Sequence, residues 1–163
     1  MALEKVISGG QTGVDRAALD AARAAGVEVG GWCPRGRLAE DGAIDEAYPL
    51  HETPSDGYLE RTEWNVRDAD ATLIVNVGEL EGGTASTVDF AREMGRPCRI
   101  VDLDDPDPQA VVAWIAGHSI RVLNVAGPRA SKDPAIYQRA HDFLAEIFEV
   151  VGRRDGMAGP LNT

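Results

Sequence analysis

The chain has 163 residues and a formal net charge of -11. This length is typical of one domain that buries a core without disulfides or metals, and no apolar run approaches the roughly 20 residues of a membrane span. The negative charge, without any lysine or arginine run, argues against a nucleic-acid partner. The N-terminus lacks a secretory signal pattern, so we expect a soluble cytoplasmic domain over residues 1–152 and a flexible tail over 153–163.

The first third of the chain predicts a strand, a glycine loop, a helix and a second strand. Val6–Ser8 is apolar and is followed by the glycine loop 9–13, after which apolar residues recur at helical spacing to Gly26. Residues 27–32 then form a second strand pattern. The segment 33–55 that follows is rich in proline and glycine and is longer than a plain connection, which suggests a binding role.

The rest of the chain repeats the alternation of strand and helix. A helix is expected to begin near Ser55 or Asp56, and residues 71–77 are nearly all apolar, as in a parallel strand that is buried on both faces. A second glycine turn, Gly82-Gly83-Thr84, precedes the next helix. The remaining predictions are strand 99–103, helix 110–115, strand 120–125 and helix 136–151.

This alternation predicts the α/β class: a Rossmann-like, doubly wound, mainly parallel sheet of about five strands with helices on both faces. In such sheets ligands bind beyond the carboxyl ends of the strands, where loops lead into helix N-termini. Loops at these positions are therefore the first candidates for a site.

The loop Gly9-Gly10-Gln11-Thr12-Gly13 suits a phosphate or another oxyanion. Its glycines allow close approach of the backbone, and the helix that follows directs its free amides and positive dipole end at the loop. The loop lacks both the dinucleotide-binding glycine spacing and the Gly-Lys-Ser/Thr of an ATPase loop. A purely structural strand-to-helix turn remains an open alternative.

Two further loops support the anion-binding interpretation. Gly82-Gly83-Thr84 repeats the arrangement at another strand end, although Thr84 also fits a simple helix N-cap. Gly127-Pro128-Arg129 adds a guanidinium that suits phosphate, although Arg129 also fits an ordinary surface cation. The three loops are expected to converge on one crevice.

Two positions outside these loops are candidates on helices. Arg16 opens the first helix, where a cation opposes the helix dipole, and this misfit suggests a ligand or partner. Arg61 and Asn65 are four residues apart and share a helix face, so they are able to reach one ligand. Asp68 lies near enough in sequence to make Arg61 an ordinary ion-pair partner, and this choice stays open.

No catalytic or metal-binding set emerges from the remaining polar residues. Arg35 and Arg37 flank Gly36 and fit either solvated charges or a closure over an anion, while Cys33 fits a small core residue. The histidines lack metal-ligand spacing. Three carboxylates are explained as helix-surface groups: Asp15, Glu63 and Asp89.

Several segments in order resemble the molybdenum carrier family: 7–16, 31–34, 61–66, 82–84 and 123–129. The resemblance covers residues 5 to 150. It implies a Rossmann-like fold of the broader SLOG group, which includes lysine-decarboxylase-like and cytokinin-activating phosphoribohydrolase proteins, and a homo-oligomer, either a dimer or a tetramer. It also implies a ligand: molybdenum cofactor, a pterin that carries a terminal phosphate, or molybdate.

The leading hypothesis is therefore a binding and carrier protein for a small phosphate-bearing ligand, with no catalytic residue and no assigned metal ligand. Its predicted ligand-binding residues are Gly9, Gly10, Gln11, Thr12, Gly13, Arg16, Arg61, Asn65, Gly82, Gly83, Thr84, Gly127 and Arg129. The alternatives are a nucleotide sensor and a nucleoside-phosphate hydrolase. The related phosphoribohydrolases place a catalytic glutamate where this chain has Thr87, so a hydrolase would need another acid, such as Asp15 or Glu63.

Overall fold

A computed structural model of the chain describes residues 3–156, with only the backbone described for 153–156. The helices are α1 (Val14–Ala24), α2 (Tyr58–Arg67), α3 (Gly82–Met94), α4 (Pro108–Gly117) and α5 (Ile136–Gly156). The strands are β1 (Lys5–Ile7), β2 (Glu28–Gly30), β3 (Trp32–Cys33), β4 (Leu38–Ala39), β5 (Gly42–Ala43), β6 (His51–Glu52), β7 (Ala71–Asn76), β8 (Cys98–Asp102) and β9 (Val122–Ala126). The predicted tail, 153–163, begins within α5, and residues 157–163 lie outside the described residues.

Five parallel strands form the central sheet in the order β2-β1-β9-β7-β8. The chain leaves β1 for β2 on one side and β7 for β8 on the other, so right-handed crossovers place α1 and α3 on opposite faces. Helix α5 packs with both α1 and α4, whereas α2 packs with α3. This architecture confirms the predicted doubly wound α/β class.

The main hydrophobic core lies between the sheet and the layer of α1, α4 and α5. Leu144, Ile147 and Phe148 of α5 are fully buried there against the central strands, and each such side chain contributes roughly 1.5 to 3 kcal/mol of burial. All six residues of β7 are buried, as its continuous apolar pattern predicted. Among the described residues no helix is long and apolar enough to cross a membrane.

The predicted second strand, 27–32, is divided in the structure. Its first part is β2 of the central sheet, and its last residue begins β3, which pairs with β6 instead. Gly31 makes the division: its φ is +128°, and a Cβ there would lie 2.2 Å from the carbonyl oxygen of Ser8. The close approach of the two chains therefore requires glycine at this bend.

The long segment 33–55 is organised around the side chain of Arg37. Besides the β3–β6 pair it holds the β4–β5 hairpin, and the Arg37 guanidinium donates to four backbone carbonyl oxygens within the segment, at 2.8 to 3.2 Å. Cys33, Ile44 and Leu50 form a small core with Leu19 beneath it. Arg37 thus has a structural role, and Cys33 is the small core residue that its sequence context suggested.

Candidate functional site

A cavity of about 490 Å³ lies at the carboxyl edge of the central sheet. Strand β9 separates β1 from β7, so the loops that follow these three strands meet there. Nine of the predicted residues line the cavity: Gly9, Gln11, Arg61, Asn65, Gly82, Gly83, Thr84, Gly127 and Arg129. Gly10, Thr12, Gly13 and Arg16 are not part of its lining.

Arg61 of α2 is the most deeply buried cation at the cavity. Its side chain is 8% exposed, its Nη1 donates to the carbonyl oxygen of Gly9 at 2.9 Å, and its Nε donates to the hydroxyl of Thr62 at 3.3 Å. Among the described side chains of residues 3–152 no carboxylate oxygen lies within 4 Å of this guanidinium. Burial lowers the Arg61 pKa, and Asp15 partly opposes this effect.

The alternative pairing of Arg61 with Asp68 does not occur. Asp68 accepts from the guanidinium of Arg67 at 2.8 Å and from the indole of Trp32 at 2.7 Å. Arg61 instead lies on the buried side of α2, together with Asn65. A buried cation without a carboxylate partner is costly unless an anion compensates it, so the surroundings of Arg61 are suited to an anionic ligand.

Asp15 was expected at the helix surface, and this expectation is wrong. The side chain is only 6% exposed and lines the cavity, because the first turn of α1 packs under the glycine loop. Burial raises the pKa of Asp15 from 3.8 to about 6, although Arg61, the Gln11 amide, Arg16 and Arg129 all favour the carboxylate. Glu63 and Asp89 are exposed, as expected.

The first glycine loop does not offer its backbone amides as the sequence suggested. The amide of Gly10 donates to Ser8 Oγ, that of Gln11 to Asp15 Oδ2, and that of Thr12 to Gln11 Oε1, at 3.0 to 3.3 Å. Val14 N donates to the carbonyl oxygen of Pro128 at 3.1 Å. These side chains fold back onto their own loop, so the amides of Gly10, Gln11 and Thr12 are already satisfied, whereas those of Gly9 and Gly13 have no acceptor among the described residues.

Close packing explains the glycines at three of the predicted positions. A Cβ on Gly10 would lie 2.5 Å from Leu50, one on Gly13 would lie 2.4 Å from the carbonyl oxygen of Pro128, and one on Gly127 would lie 2.2 Å from that of Val75. Such distances exclude any side chain. These glycines hold the loops together and so position the cavity; Gly127 also lines it, whereas Gly10 and Gly13 do not.

The first turn of α3 supplies the amides that the first loop does not. The amides of Gly82 and Gly83 have no acceptor among the described residues, and a Cβ at either position would meet open space. The helix begins at Gly82, so Thr84 lies within the first turn and is not the N-cap. Thr87 donates to the carbonyl oxygen of Gly83 at 2.8 Å, and both threonines line the cavity.

The third loop meets the β4–β5 hairpin at the rim. Glu40 accepts from the hydroxyl of Thr12 and from the amide and hydroxyl of Ser131, and lies 3.9 Å from Arg129. Desolvation opposes ionisation of Glu40, but the hydrogen bonds from Thr12 and Ser131 outweigh it and lower the Glu40 pKa. Arg129 and Arg61 both lie over the ring of Tyr58, at 5.4 and 5.1 Å.

Two predicted residues have other partners in the structure. Arg16 points to the hairpin, where it forms a two-point ion pair with Asp41 at 2.6 and 3.0 Å and donates to the carbonyl oxygen of Gly10. Asn65 lines the cavity, but both ends of its amide bind the backbone of Trp32, at 2.8 and 2.9 Å. Neither side chain has its charge or amide directed at a ligand.

Sequence reasoning missed part of the lining, including Asp15 and the cation Lys132. Only Asn124 carried a signal, since a polar residue inside the apolar pattern of β9 is unusual; its amide donates to Thr72 Oγ1 at 3.2 Å. The other missed residues that line the cavity are Thr62, Glu81, Thr87, Val125, Ala126, Pro128 and Ser131. Their neighbours in sequence gave no indication of the direction in which they point.

The cavity is a local cationic region in an acidic protein. Arg61, Arg129 and Lys132 line it, against the carboxyls of Asp15 and Glu81. No group of three or more His, Cys, Asp or Glu side chains is arranged for a metal ion in the described part of the chain. The arrangement is suited to hold an anion by a guanidinium, helix amides and an ammonium.

Fold and site together define a Rossmann-like protein with a cavity at the carboxyl edge of its sheet that is lined by several cations. Residues 6–148 match the circularly permutated YpsA SLOG family, and the chain belongs to this family. It is also similar to a crystal structure from Syntrophus aciditrophicus described as a "Putative molybdenum carrier protein", with 50% identity over 90% of this chain and 95% of that one and a TM-score of 0.85. These findings confirm the family resemblance. A comparison with the curated proteins gave no match.

Proposed function

We propose that this protein is a cytoplasmic binding and carrier protein for a small ligand that bears a phosphate or a similar oxyanion. The observation that carries the proposal is Arg61, a guanidinium that is 8% exposed and has no carboxylate within 4 Å among the described side chains of residues 3–152. An anionic ligand would compensate this buried charge. Gly82 and Gly83, which also line the cavity, would add helix amides.

The similar protein from Syntrophus aciditrophicus supports a molybdenum-related ligand. Molybdenum cofactor is a pterin with a terminal phosphate, and a cavity of about 490 Å³ falls within the usual range of small-molecule sites. In this proposal Arg61 binds the phosphate, and Arg129 and Lys132 neutralise it from the rim. The cofactor is the cargo, so its metal needs no ligand set from the protein.

Replacement of Arg61 by methionine tests the anion site. Methionine keeps most of the side-chain volume and removes the buried charge, so the variant is expected to fold. A charge-assisted hydrogen bond contributes about 1.5 to 3 kcal/mol, which corresponds to a roughly 10- to 100-fold loss of affinity for inorganic phosphate in calorimetric titrations. Arg129→Ala should weaken binding less, because the Arg129 side chain is 41% exposed.

Arg67→Met is the matched control, since it removes a cation from the exposed side of the same helix. Its phosphate affinity should equal that of the unchanged protein at fixed ionic strength. If Arg61→Met binds phosphate as tightly as Arg67→Met, the proposed site is wrong.

Native mass spectrometry of protein from a molybdenum-replete host, with elemental analysis of the same sample, identifies the ligand. A pterin-sized adduct with one molybdenum supports the cofactor, and a nucleotide mass without metal supports the sensor or hydrolase. The same spectra give the oligomeric state, for which a homodimer or homotetramer is the expectation from the family.

The buried carboxyl of Asp15 favours one second candidate, a nucleoside-phosphate hydrolase. A carboxyl with a pKa of about 6 in a ligand cavity is suited to proton transfer at neutral pH. Thr87, which occupies the position of the phosphoribohydrolase glutamate, instead donates to a backbone carbonyl. Chromatographic detection of free base released from nucleoside monophosphates would support this candidate, and release that survives Asp15→Asn would exclude Asp15 as its acid.

A further inference from the structure

A cavity that binds an anion is expected to present hydrogen-bond donors, yet its wall also carries the carboxyl group of Asp15. This side chain is 6% exposed and lines the same cavity as Arg61. Its Oδ2 accepts from the amide of Gln11 at 3.2 Å, whereas its Oδ1 has no hydrogen-bond partner among the described residues. Asp15 therefore keeps a free acceptor atom on a side chain that lines the proposed anion site.

Asp15 and Arg61 border the same point of the cavity without pairing. A Cβ built on Gly9 would lie 3.0 Å from Asp15 Oδ2 and 2.4 Å from Arg61 Nη1. Arg61 Nη1 is instead occupied by the carbonyl oxygen of Gly9. The guanidinium and the carboxyl therefore pack closely against Gly9, and a ligand that meets both would approach them from the cavity that both side chains line.

Charged groups on several neighbouring elements surround Asp15. Arg61 on α2, Arg16 on α1 and Arg129 after β9 attract the carboxylate, and Lys132 and Glu81 lie further along the cavity wall. Burial outweighs the three arginines and raises the Asp15 pKa to about 6. Above that pH the Asp15 carboxyl is only an acceptor, and below it the group is also a donor.

We propose that Asp15 makes this site selective for an oxyanion that carries a proton, which is a phosphate group, over fully ionised oxyanions such as sulfate and molybdate. The ligand's own P–O–H donates to the Asp15 carboxylate while Arg61 binds another oxygen, and no covalent bond changes. A phosphate monoester has a second pKa near 6, so its dianion takes up one proton from solution when it binds at higher pH. This inference rests on the proposed anion-binding function.

Sulfate and molybdate carry no proton at neutral pH, so their oxygens would face the Asp15 carboxylate as acceptor against acceptor. Such a contact discriminates by repulsion, because it leaves two desolvated acceptors unpaired. These ions then bind only the fraction of protein in which Asp15 is protonated. Their apparent affinity should fall about tenfold per pH unit above pH 6, or about 100-fold by pH 8.

The test is calorimetric titration of the full chain with inorganic phosphate and with sulfate at pH 5.5 and pH 8, at fixed ionic strength. Hydrogen phosphate still carries a proton at pH 8, so its affinity should change by less than tenfold between the two pH values. Sulfate should bind at pH 5.5 and weaken about 100-fold by pH 8, and molybdate at pH 8 should bind no better than sulfate. In Asp15→Asn, whose amide offers a donor at every pH, sulfate should bind equally at both pH values.

Two results would overturn the selectivity: sulfate or molybdate binding as tightly as phosphate at pH 8, or Asp15→Asn keeping the preference for phosphate. Arg61→Met, titrated in parallel, separates this failure from that of the proposed function. If the ions bind in an Arg61-dependent manner without discrimination, the anion site stands and the role of Asp15 is wrong. If no ion binds in an Arg61-dependent manner, both are wrong.

Discussion

Replacement of Asp15 by asparagine should make the folded protein more stable at pH 8. The carboxyl is buried at the cavity wall, and burial raises its pKa from 3.8 to about 6. Asparagine has nearly the same shape, carries no charge, and keeps an oxygen that is able to accept from the amide of Gln11. The substitution therefore removes the free energy required to ionise a desolvated group.

The sign and size of the effect follow from proton linkage. Between pH 3.8 and 6 the folded state retains the Asp15 proton and the unfolded state does not, so the free energy of unfolding decreases as the pH rises. The contribution of Asp15 is fully present below pH 3.8 and is lost above about pH 6. A shift of about 2.2 units at 1.36 kcal/mol per unit corresponds to about 3 kcal/mol at pH 8.

Urea denaturation of both proteins at pH 4, 5, 6, 7 and 8 measures this difference. The contributions of titrating groups that the substitution does not affect are the same in both proteins, so they cancel in the difference between the two free energies of unfolding. The free-energy difference should be small at pH 4, increase to pH 6 and remain constant above it. Asp89→Asn, a change at an exposed ion pair with Arg92 on α3, is the control and should give a small difference. If Asp15→Asn is less stable than the unchanged protein at pH 8, Asp15 is held as a stabilised carboxylate and the argument from desolvation is wrong.

Three further substitutions test the site and its frame. Gly83→Ala should leave the free energy of unfolding unchanged or raise it by up to about 1 kcal/mol, because its Cβ meets open space, yet it should weaken phosphate binding if the ligand contacts this turn. The control is Gly117→Ala on α4, whose Cβ also meets open space and which should leave phosphate binding unchanged. Arg16→Ala should reduce stability and leave phosphate affinity within about twofold, since Arg16 pairs with Asp41, and a tenfold loss would place Arg16 in the site. Arg37→Met should lower the free energy of unfolding by about 2 kcal/mol and expose the segment 38–52 to proteolysis, because four backbone carbonyls lose their donor. If this segment is cleaved no faster than in the unchanged protein, the structural role of Arg37 is contradicted.

The order of elements was determined by local sequence. The continuous apolar run of β7, the helical spacing in α1 and α5, and the glycines at helix ends each reflect a period or a backbone conformation set by neighbouring residues. Alternating strands and helices then leave one class of fold, because parallel strands require right-handed crossovers. The same rule located the three loops at one edge of the sheet.

The sequence could not give the order of the strands or the direction of side chains at the site. The insertion of β9 between β1 and β7 brings Arg129 to Arg61, and this depends on contacts between residues more than 50 positions apart. Arg16 and Arg61 looked alike as single cations, yet the hairpin carboxylate of Asp41 pairs with Arg16, and Arg61 faces the cavity.

Asp15 shows most clearly the difference between what local sequence determines and what the tertiary structure decides. An aspartate in the first turn of a helix is ordinarily explained by the helix dipole and by solvent, and nothing in residues 9–16 indicates otherwise. Its burial arises because α2 packs Arg61 over Gly9, 52 residues away in the chain. Local sequence determines backbone conformation, because that conformation depends on adjacent residues. The desolvation of a side chain and the pairing of its charge depend on the elements that pack against it, and only the tertiary structure decides these.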